Sequence, residues 1–415
     1  MKISREDLRQ RLLPILLSQA IGLACGIIGV RLTSHLVDPA DYGIYGIFVS
    51  LASIGAGVIY IGLVKYVSRH WQGSTDRPGL LRVVFAATVR KAPWLLAAAT
   101  LATLLAASGQ QLVFGVVLFA SAYLLTLTQM AQSALQAARE HWRDLGVSAG
   151  VSVSRSFLPP LLYAATGAGV RALLVGFLGQ ALLGALLGAG SLRRWWRRNP
   201  TAAPSSPSLT PHYDGPRFVA LAIAGWVLVG LNRWLVAWFF GTETAGFFML
   251  ASNIGVILPA MLGLVLLLYC QPPWFESVHA TLPQREALLR DVDRAAGLYT
   301  MLALGLAGAL HLAMPGLIGP LVSAKYTPAA TFVLMTGFST TSITIGTFYH
   351  AMLLAAKREP ACSTADLTGA ACLMTGSVLS AVAGLAWFKG WLILAPVVPW
   401  LVNRPLARRA LLKAA

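Results

Sequence analysis

The sequence predicts an all-α integral membrane protein of about twelve transmembrane helices in two six-helix lobes. Three observations carry that expectation. Hydrophobic residues fill 57% of the 415 positions and charged residues only 11%, against about 25% charged in an ordinary soluble domain. Apolar runs of roughly 20 residues, each long enough to cross a hydrocarbon core of about 30 Å as a helix, recur along the whole chain. One long polar segment divides those runs six and six.

Helices are the expected form because every backbone group must be satisfied inside lipid, and no alternating barrel pattern occurs. The first span, Leu12–Leu32, follows Lys2, Arg5, Arg9 and Arg11 and is too long for the apolar core of a secretory signal. The stretch LVDPADYGIYG then interrupts it: Asp38-Pro39 supply a turn, and Gly43 opens the second span, Gly43–Val64. Spans three to six are expected over Ala92–Ala107, Leu112–Leu135, Leu145–Thr166 and Ala172–Gly190. The segment 191–217 begins SLRRWWRRNP, a basic tryptophan-rich interface anchor, and continues as a Pro/Ser/Thr-rich linker. It separates an N-terminal lobe, 1–190, from a C-terminal lobe, 218–415. The second lobe is expected to span at Phe218–Phe240, Ala245–Cys270, Ala295–Met314, Ala329–Ala356, Cys362–Trp387 and Trp391–Leu406.

Charge sets the orientation, since cytoplasmic loops near span ends collect Lys and Arg. With both termini inside, and Arg31 and Arg404 at span ends counted with the adjoining segments, 26 of the 32 basic residues fall on inner segments, four outside (Arg31, Arg171, Lys325, Lys389) and two deeper within spans (Arg155, Arg233). The net charge of +17 is then accounted for by inner loops facing anionic lipid headgroups, and no nucleic-acid partner is required.

The two lobes carry a trace of duplication. Gly246 lies 203 positions after Gly43, and each glycine follows an arginine-bearing segment (Arg31; Arg233) and an acid (Asp41; Glu243). Ile54/Ile257, Leu63/Leu266 and Tyr66/Tyr269 match at the same offset. An even number of spans per lobe implies a pseudo-twofold axis along the membrane normal, as in parallel-repeat transporters.

The stretch RLTSHLVDPADYGIYGIFVSLASIGAGVIYIGLVKYVSRH resembles the start of polysaccharide exporters of the MOP (multidrug, oligosaccharidyl-lipid, polysaccharide) superfamily. The matching elements are Arg31, Asp38 and Asp41, Tyr42-Gly43-Ile44-Tyr45, Gly62-Leu63 and Arg69. The second lobe departs from the family pattern, carrying Asn232-Arg233 for an expected Asp-Arg and Gly246-Phe247-Phe248 for an expected Gly-x-Tyr. The resemblance is to the Wzx-type branch. It implies movement of undecaprenyl-pyrophosphate-linked oligosaccharide repeat units across a bacterial inner membrane by alternating access, for O-antigen or exopolysaccharide synthesis, beside a polymerase and chain-length machinery.

The candidate site residues follow from the cost of charge in lipid. An arginine at mid-membrane costs about 2.5 to 3.5 kcal/mol even on the lenient insertion scale, so it needs a wet or paired site. Arg155, in SVSRSFLPP, and Arg233, in LVGLNRWLVAW, sit within spans. Each is either a cavity cation for pyrophosphate or a partner of a buried acid or of helix-end carbonyls. Arg31 is nearer an interface, where snorkelling competes with cargo contact. Lys65 and Arg69 share one helical face and serve as cavity cations or as a positive-inside anchor. Asp366 either carries a coupling ion or neutralises an arginine. His311 and His350, near span ends, either couple protons or are structural.

No metal-ligand spacing, phosphate-binding glycine loop or nucleophile elbow is present, so neither an enzyme, a cofactor nor a metal site is expected. Cys25, Cys270, Cys362 and Cys372 have no CxxC pattern and read as packing residues. The competing functions are a cation-coupled multidrug antiporter of the same superfamily and, less well matched, a membrane glycosyltransferase or polymer ligase. The latter usually needs a sizeable outer loop, whereas the longest expected here runs only from Pro315 to Pro328.

Overall fold

A computed structural model describes residues 13–71, 76–105, 111–198, 216–276, 282–355 and 359–412, and its named elements are helical. Six helices cover the first half: α1 (Leu13–Leu36), α2 (Pro39–His70), α3 (Arg77–Leu105), α4 (Gln111–Ala137), α5 (His141–Thr166) and α6 (Val170–Arg198). The second half comprises α7 (Pro216–Val229), α8 (Leu231–Phe240), α9 (Thr242–Gly255), α10 (Ile257–Glu276), α11 (Leu282–Leu317) and α12 (Ala330–Ala355). It ends with α13 (Glu359–Ala383), α14 (Leu385–Leu394), α15 (Val397–Leu401) and α16 (Asn403–Leu412).

Among the described residues, eight helical stretches are long and apolar enough to cross a membrane, and the bent run of α14 with α15–α16 makes a ninth. The other three expected spans fall on α3, α5 and the pair α7–α8; α3 and α5 carry more charge, and α7–α8 breaks at Gly230. Leu312, Trp238, Trp94 and Trp387 are more than 70% exposed, which suits lipid and would be costly in water. The protein is an all-α, multi-pass membrane protein.

Several boundaries differ from the sequence expectation. Helix α2 begins at Pro39 rather than Gly43, because proline suits the first helical position, where its missing N–H costs nothing. Helix α6 runs on through the first eight residues of the expected 191–217 segment to Arg198; residues 199–215 lie outside the described residues. The turn between the last two spans sits at Gly384, whose φ of 118° favours glycine. This places Lys389, expected in an outer loop, on α14, 4.5 Å from the Phe332 ring centroid.

The chain divides into two compact units, Met1–Val37 with Phe48–Ile223 and Asp38–Ile47 with Ala224–Ala415. In unit 1, α5 packs on α1 and α6, and α4 packs on α6. Small residues allow this: a Cβ on Gly188 would lie 2.8 Å from Ala131, and one on Gly184 3.0 Å from Thr128 and Val151. Trp71 meets Trp195 with ring centroids 5.3 Å apart, Arg77 lies over Trp71, and Arg82 lies over Trp196. The tryptophan-rich end of α6 is thus built into unit 1 by stacking and cation–π contact. Asp76 caps α3, accepting a 2.8 Å bond from the Gly79 amide.

Unit 2 is organised around α12, which packs against α9, α10, α11, α13 and α14. Its core includes Val292, Tyr299, Ile345, Phe348, Tyr349 and Met352, all fully buried. The Tyr299 hydroxyl donates to the Pro259 carbonyl at 3.1 Å, and Ser342 donates to the Ala395 carbonyl at 2.9 Å.

Candidate functional site

In unit 1, Arg155 lies 14 residues after the start of α5 and 11 before its end. At 1.5 Å per residue that is about 16 Å from the end, near the middle of a hydrocarbon core. The side chain is exposed. Pro159 lacks the N–H that would bond the Arg155 carbonyl, and Pro160 the one that would bond the Ser156 carbonyl, so this turn presents polar backbone. Gly29 of α1 packs against Ser156, and Gly22 packs against Ser152. Arg31 follows Gly29 by two residues, about 3 Å further along α1 and turned about 200° from that contact, so Arg31 and Arg155 lie at a similar depth of one helix pair but not on a shared face. Arg31 is exposed as well. Neither arginine has an acidic partner among the described residues.

In unit 2, Arg233 occupies the first turn of α8, three residues after the break at Gly230, and is half-buried. The expected continuous seventh span is therefore two helices, with Trp226 and Trp234 in edge contact at 6.4 Å across the break. Lys65 and Arg69 fall on α2, but their side chains lie outside the described residues. His311 is half-buried on α11, and its Nδ1 has no hydrogen-bond partner among the described residues.

Asp366 is paired with a histidine rather than an arginine. The His350 Nδ1 lies 2.6 Å from Asp366 Oδ2, and the Cys362 Sγ approaches the same nitrogen at 2.9 Å. Cys362 and Asp366 share one face of α13, four residues apart, and face the last turns of α12. Two of the candidate residues, His350 and Asp366, are thus brought together.

Sequence reasoning passed over two groups here. Cys362 was read as packing, and it is indeed buried, but its sulfur is part of this cluster. Asp293 was left in an inner loop because the ninth span was expected to start at Ala295. Instead α11 begins at Leu282, which puts Asp293 in mid-helix. There it accepts a two-pronged pair of bonds from Arg404, with Nη2 at 2.8 Å and Nε at 3.0 Å, and a 2.8 Å bond from the Tyr349 hydroxyl. The aspartate's partners come from other helices, so no local spacing in the sequence signals the cluster.

The duplicated stretches meet within unit 2. A Cβ on Gly43 would run into the Thr242 carbonyl oxygen, and a Cβ on Gly246 into the Pro39 carbonyl oxygen. Thr242 lies four residues before Gly246, as Pro39 does before Gly43, so the contact is reciprocal at the offset of 203. Gly46 meets Met249, its own counterpart at that offset. Around the crossing, Asn253 Nδ2 donates to the Tyr42 hydroxyl at 2.7 Å, Tyr326 packs edge-on to Tyr42 and Phe247, and Lys325 pairs with Asp38 at 3.4 Å. Gly43 and Gly246 are structural, since each backbone approach leaves no room for a side chain.

Comparison with known proteins matches residues 32–270 to the family described as polysaccharide biosynthesis protein. The chain belongs to this family. No curated protein sequence matches it. Among solved structures, it resembles the lipid II flippase MurJ in an inward closed conformation, with a TM-score of 0.68 and 12% identity over 95% of this chain and 86% of that one. It also resembles an inward-facing multidrug resistance MATE family transporter of the MOP superfamily, with a TM-score of 0.63 and 14% identity over 96% of each chain. An outward-facing MATE structure matches with a TM-score of 0.59 and 15% identity over 99% and 98%. The fold of this polysaccharide biosynthesis family member resembles that of the MurJ and MATE structures.

Proposed function

We propose that the protein is a Wzx-type flippase. Its cargo is an undecaprenyl-pyrophosphate-linked oligosaccharide repeat unit, moved from the inner to the outer leaflet of the bacterial cytoplasmic membrane for O-antigen or exopolysaccharide assembly. The observation that carries this reading is the Arg31–Arg155 level of unit 1: two exposed guanidiniums on apolar helices, neither with an acid beside it among the described residues. A charge so placed is not stable against hydrocarbon, and a water-filled passage that receives an anion answers the cost. Family membership supports a role in polysaccharide synthesis, and the likeness to a lipid II flippase supports a lipid-linked cargo.

On this reading both termini face the cytoplasm, transport proceeds by alternating access, and the polyprenyl tail stays in lipid. Arg31 and Arg155, with Lys65 and Arg69, hold the pyrophosphate through bidentate and point-charge contacts. Membrane lipids, a polymerase and chain-length machinery are the partners.

The test is complementation of a strain lacking its own repeat-unit flippase. The wild-type chain is expected to restore surface polysaccharide, and the Arg31→Ala/Arg155→Ala double variant, at equal membrane abundance, is not. Full restoration by the double variant removes the cavity-cation model. A second reading, a cation-coupled multidrug antiporter, draws on the MATE likeness and on the His350–Asp366 pair within apolar helices. Lowered accumulation of cationic dyes without any rescue of polysaccharide favours it.

A further inference from the structure

We infer that His350, Cys362 and Asp366 form a binding site for a borderline-soft divalent metal ion of the zinc type, held between α12 and α13. The inference does not depend on the cargo. One ligand atom from each residue lies within 4.8 Å of the others, with Nδ1 to Oδ2 at 2.6 Å and Nδ1 to Sγ at 2.9 Å. Cys362 is buried, while the His350 and Asp366 side chains are each 20% exposed, so the donors are shielded yet reachable by an ion.

Hydrogen bonding alone serves this trio poorly. A thiol donates to Nδ1 only when that nitrogen carries no proton, whereas an ionised carboxylate accepts from Nδ1 only when it does. With Nδ1 protonated toward Asp366, the thiol turns instead to the His350 carbonyl at 4.0 Å, a long contact even for sulfur. A cation among the three donors suits all of them at once, since thiolate, neutral imidazole and carboxylate each offer a lone pair. Binding releases the thiol proton and any proton on Nδ1 or the carboxylate to solvent.

The donor set also selects the ion. Sodium, magnesium and calcium prefer several oxygen ligands, and only one carboxylate is offered here. Thiolate with imidazole and carboxylate suits zinc or cobalt(II). Tetrahedral bonds of about 2.0 to 2.3 Å place such donors roughly 3.4 to 3.6 Å apart, so the Nδ1–Oδ2 and Nδ1–Sγ distances open by about 1 Å or less on loading. Three protein ligands leave a fourth position for water or an incoming group. The ion would join the end of α12 to the start of α13 inside unit 2.

The experiment is a cobalt(II) titration of the full-length protein, reduced and purified in lipid nanodiscs, followed by absorption. One cobalt per chain is expected, with thiolate-to-cobalt charge-transfer absorption that zinc abolishes and excess sodium or magnesium does not. Cys362→Ser is expected to remove that absorption. His350→Gln and Asp366→Asn are expected to weaken binding by about tenfold or more. A chain keeping Cys362 but with Cys25, Cys270 and Cys372 changed to alanine should retain the signal. Should that variant not fold, zinc protection of Cys362 from alkylation in the wild-type chain, read by mass spectrometry, replaces it. Absence of the charge-transfer signal in the wild type, its survival in Cys362→Ser, or displacement by sodium overturns the proposal.

Discussion

In unit 1, Arg31 and Arg155 stand exposed on neighbouring helices with no acid at hand among the described residues. In unit 2, by contrast, Asp293 is answered by Arg404 and Tyr349, Asp366 by His350, and Asp38 by Lys325. An internally compensated charge holds helices together, whereas an uncompensated one keeps its field available to a ligand. On the proposed reading, cargo contact lies in unit 1, and the charge pairs of unit 2 fasten its helices. The contrast also separates two classes of variant: those that lower transport at unchanged stability, and those that lower stability first.

The largest effect is expected for Arg31→Ala/Arg155→Ala. A charge-assisted bond contributes about 1.5 to 3 kcal/mol, so losing two lowers transport on the order of hundredfold or more, while the melting midpoint stays near the wild-type value. A large fall in that midpoint would place these arginines with the fastening groups. Next come Gly43→Ala and Gly246→Ala. Each added methyl meets a backbone carbonyl that cannot rotate aside, and a destabilisation of about 1 to 3 kcal/mol is expected for each. Because the contact is reciprocal, the two variants should be alike by thermal unfolding; tolerance of one but not the other breaks the symmetry.

Asp293→Asn keeps the shape but removes the charge that Arg404 grips. Arg404 is 45% exposed, so solvent screens the pair, and a loss of about 1 kcal/mol is expected, with transport per folded molecule unchanged. The smallest effect belongs to Lys325→Ala. Its partner Asp38 is 70% exposed, and a change within about 0.5 kcal/mol is expected from the same unfolding measurement.

Much of this was legible in the sequence because lipid imposes one-dimensional rules. Hydropathy located a helix at each of the twelve expected spans, and the offset from Gly43 to Gly246 marked the two related stretches, though not that they cross. What escaped notice depended on the third dimension or on helix beyond the apolar run. Polar helical extension is invisible to hydropathy, which is why Asp293 was assigned to a loop. Cys362 gave no signal because its partner His350 comes from another helix, with no local motif between them. The break at Gly230 was hidden because its flanks are as apolar as any continuous span. Arg155 was legible as a deep charge, but its exposure and its level beside Arg31 required the packing of Gly29 on Ser156.

The central claim is that the uncompensated arginines of unit 1 receive an anionic headgroup. Its most direct measurement is binding of a polyprenyl-pyrophosphate-linked oligosaccharide to the purified protein in nanodiscs, compared among the wild type, Arg31→Ala/Arg155→Ala and Asp293→Asn. Binding about tenfold or more weaker in the arginine variant alone, with Asp293→Asn matching the wild type, is the predicted result. Equal binding by the arginine variant and the wild type, or a loss confined to Asp293→Asn, would contradict it.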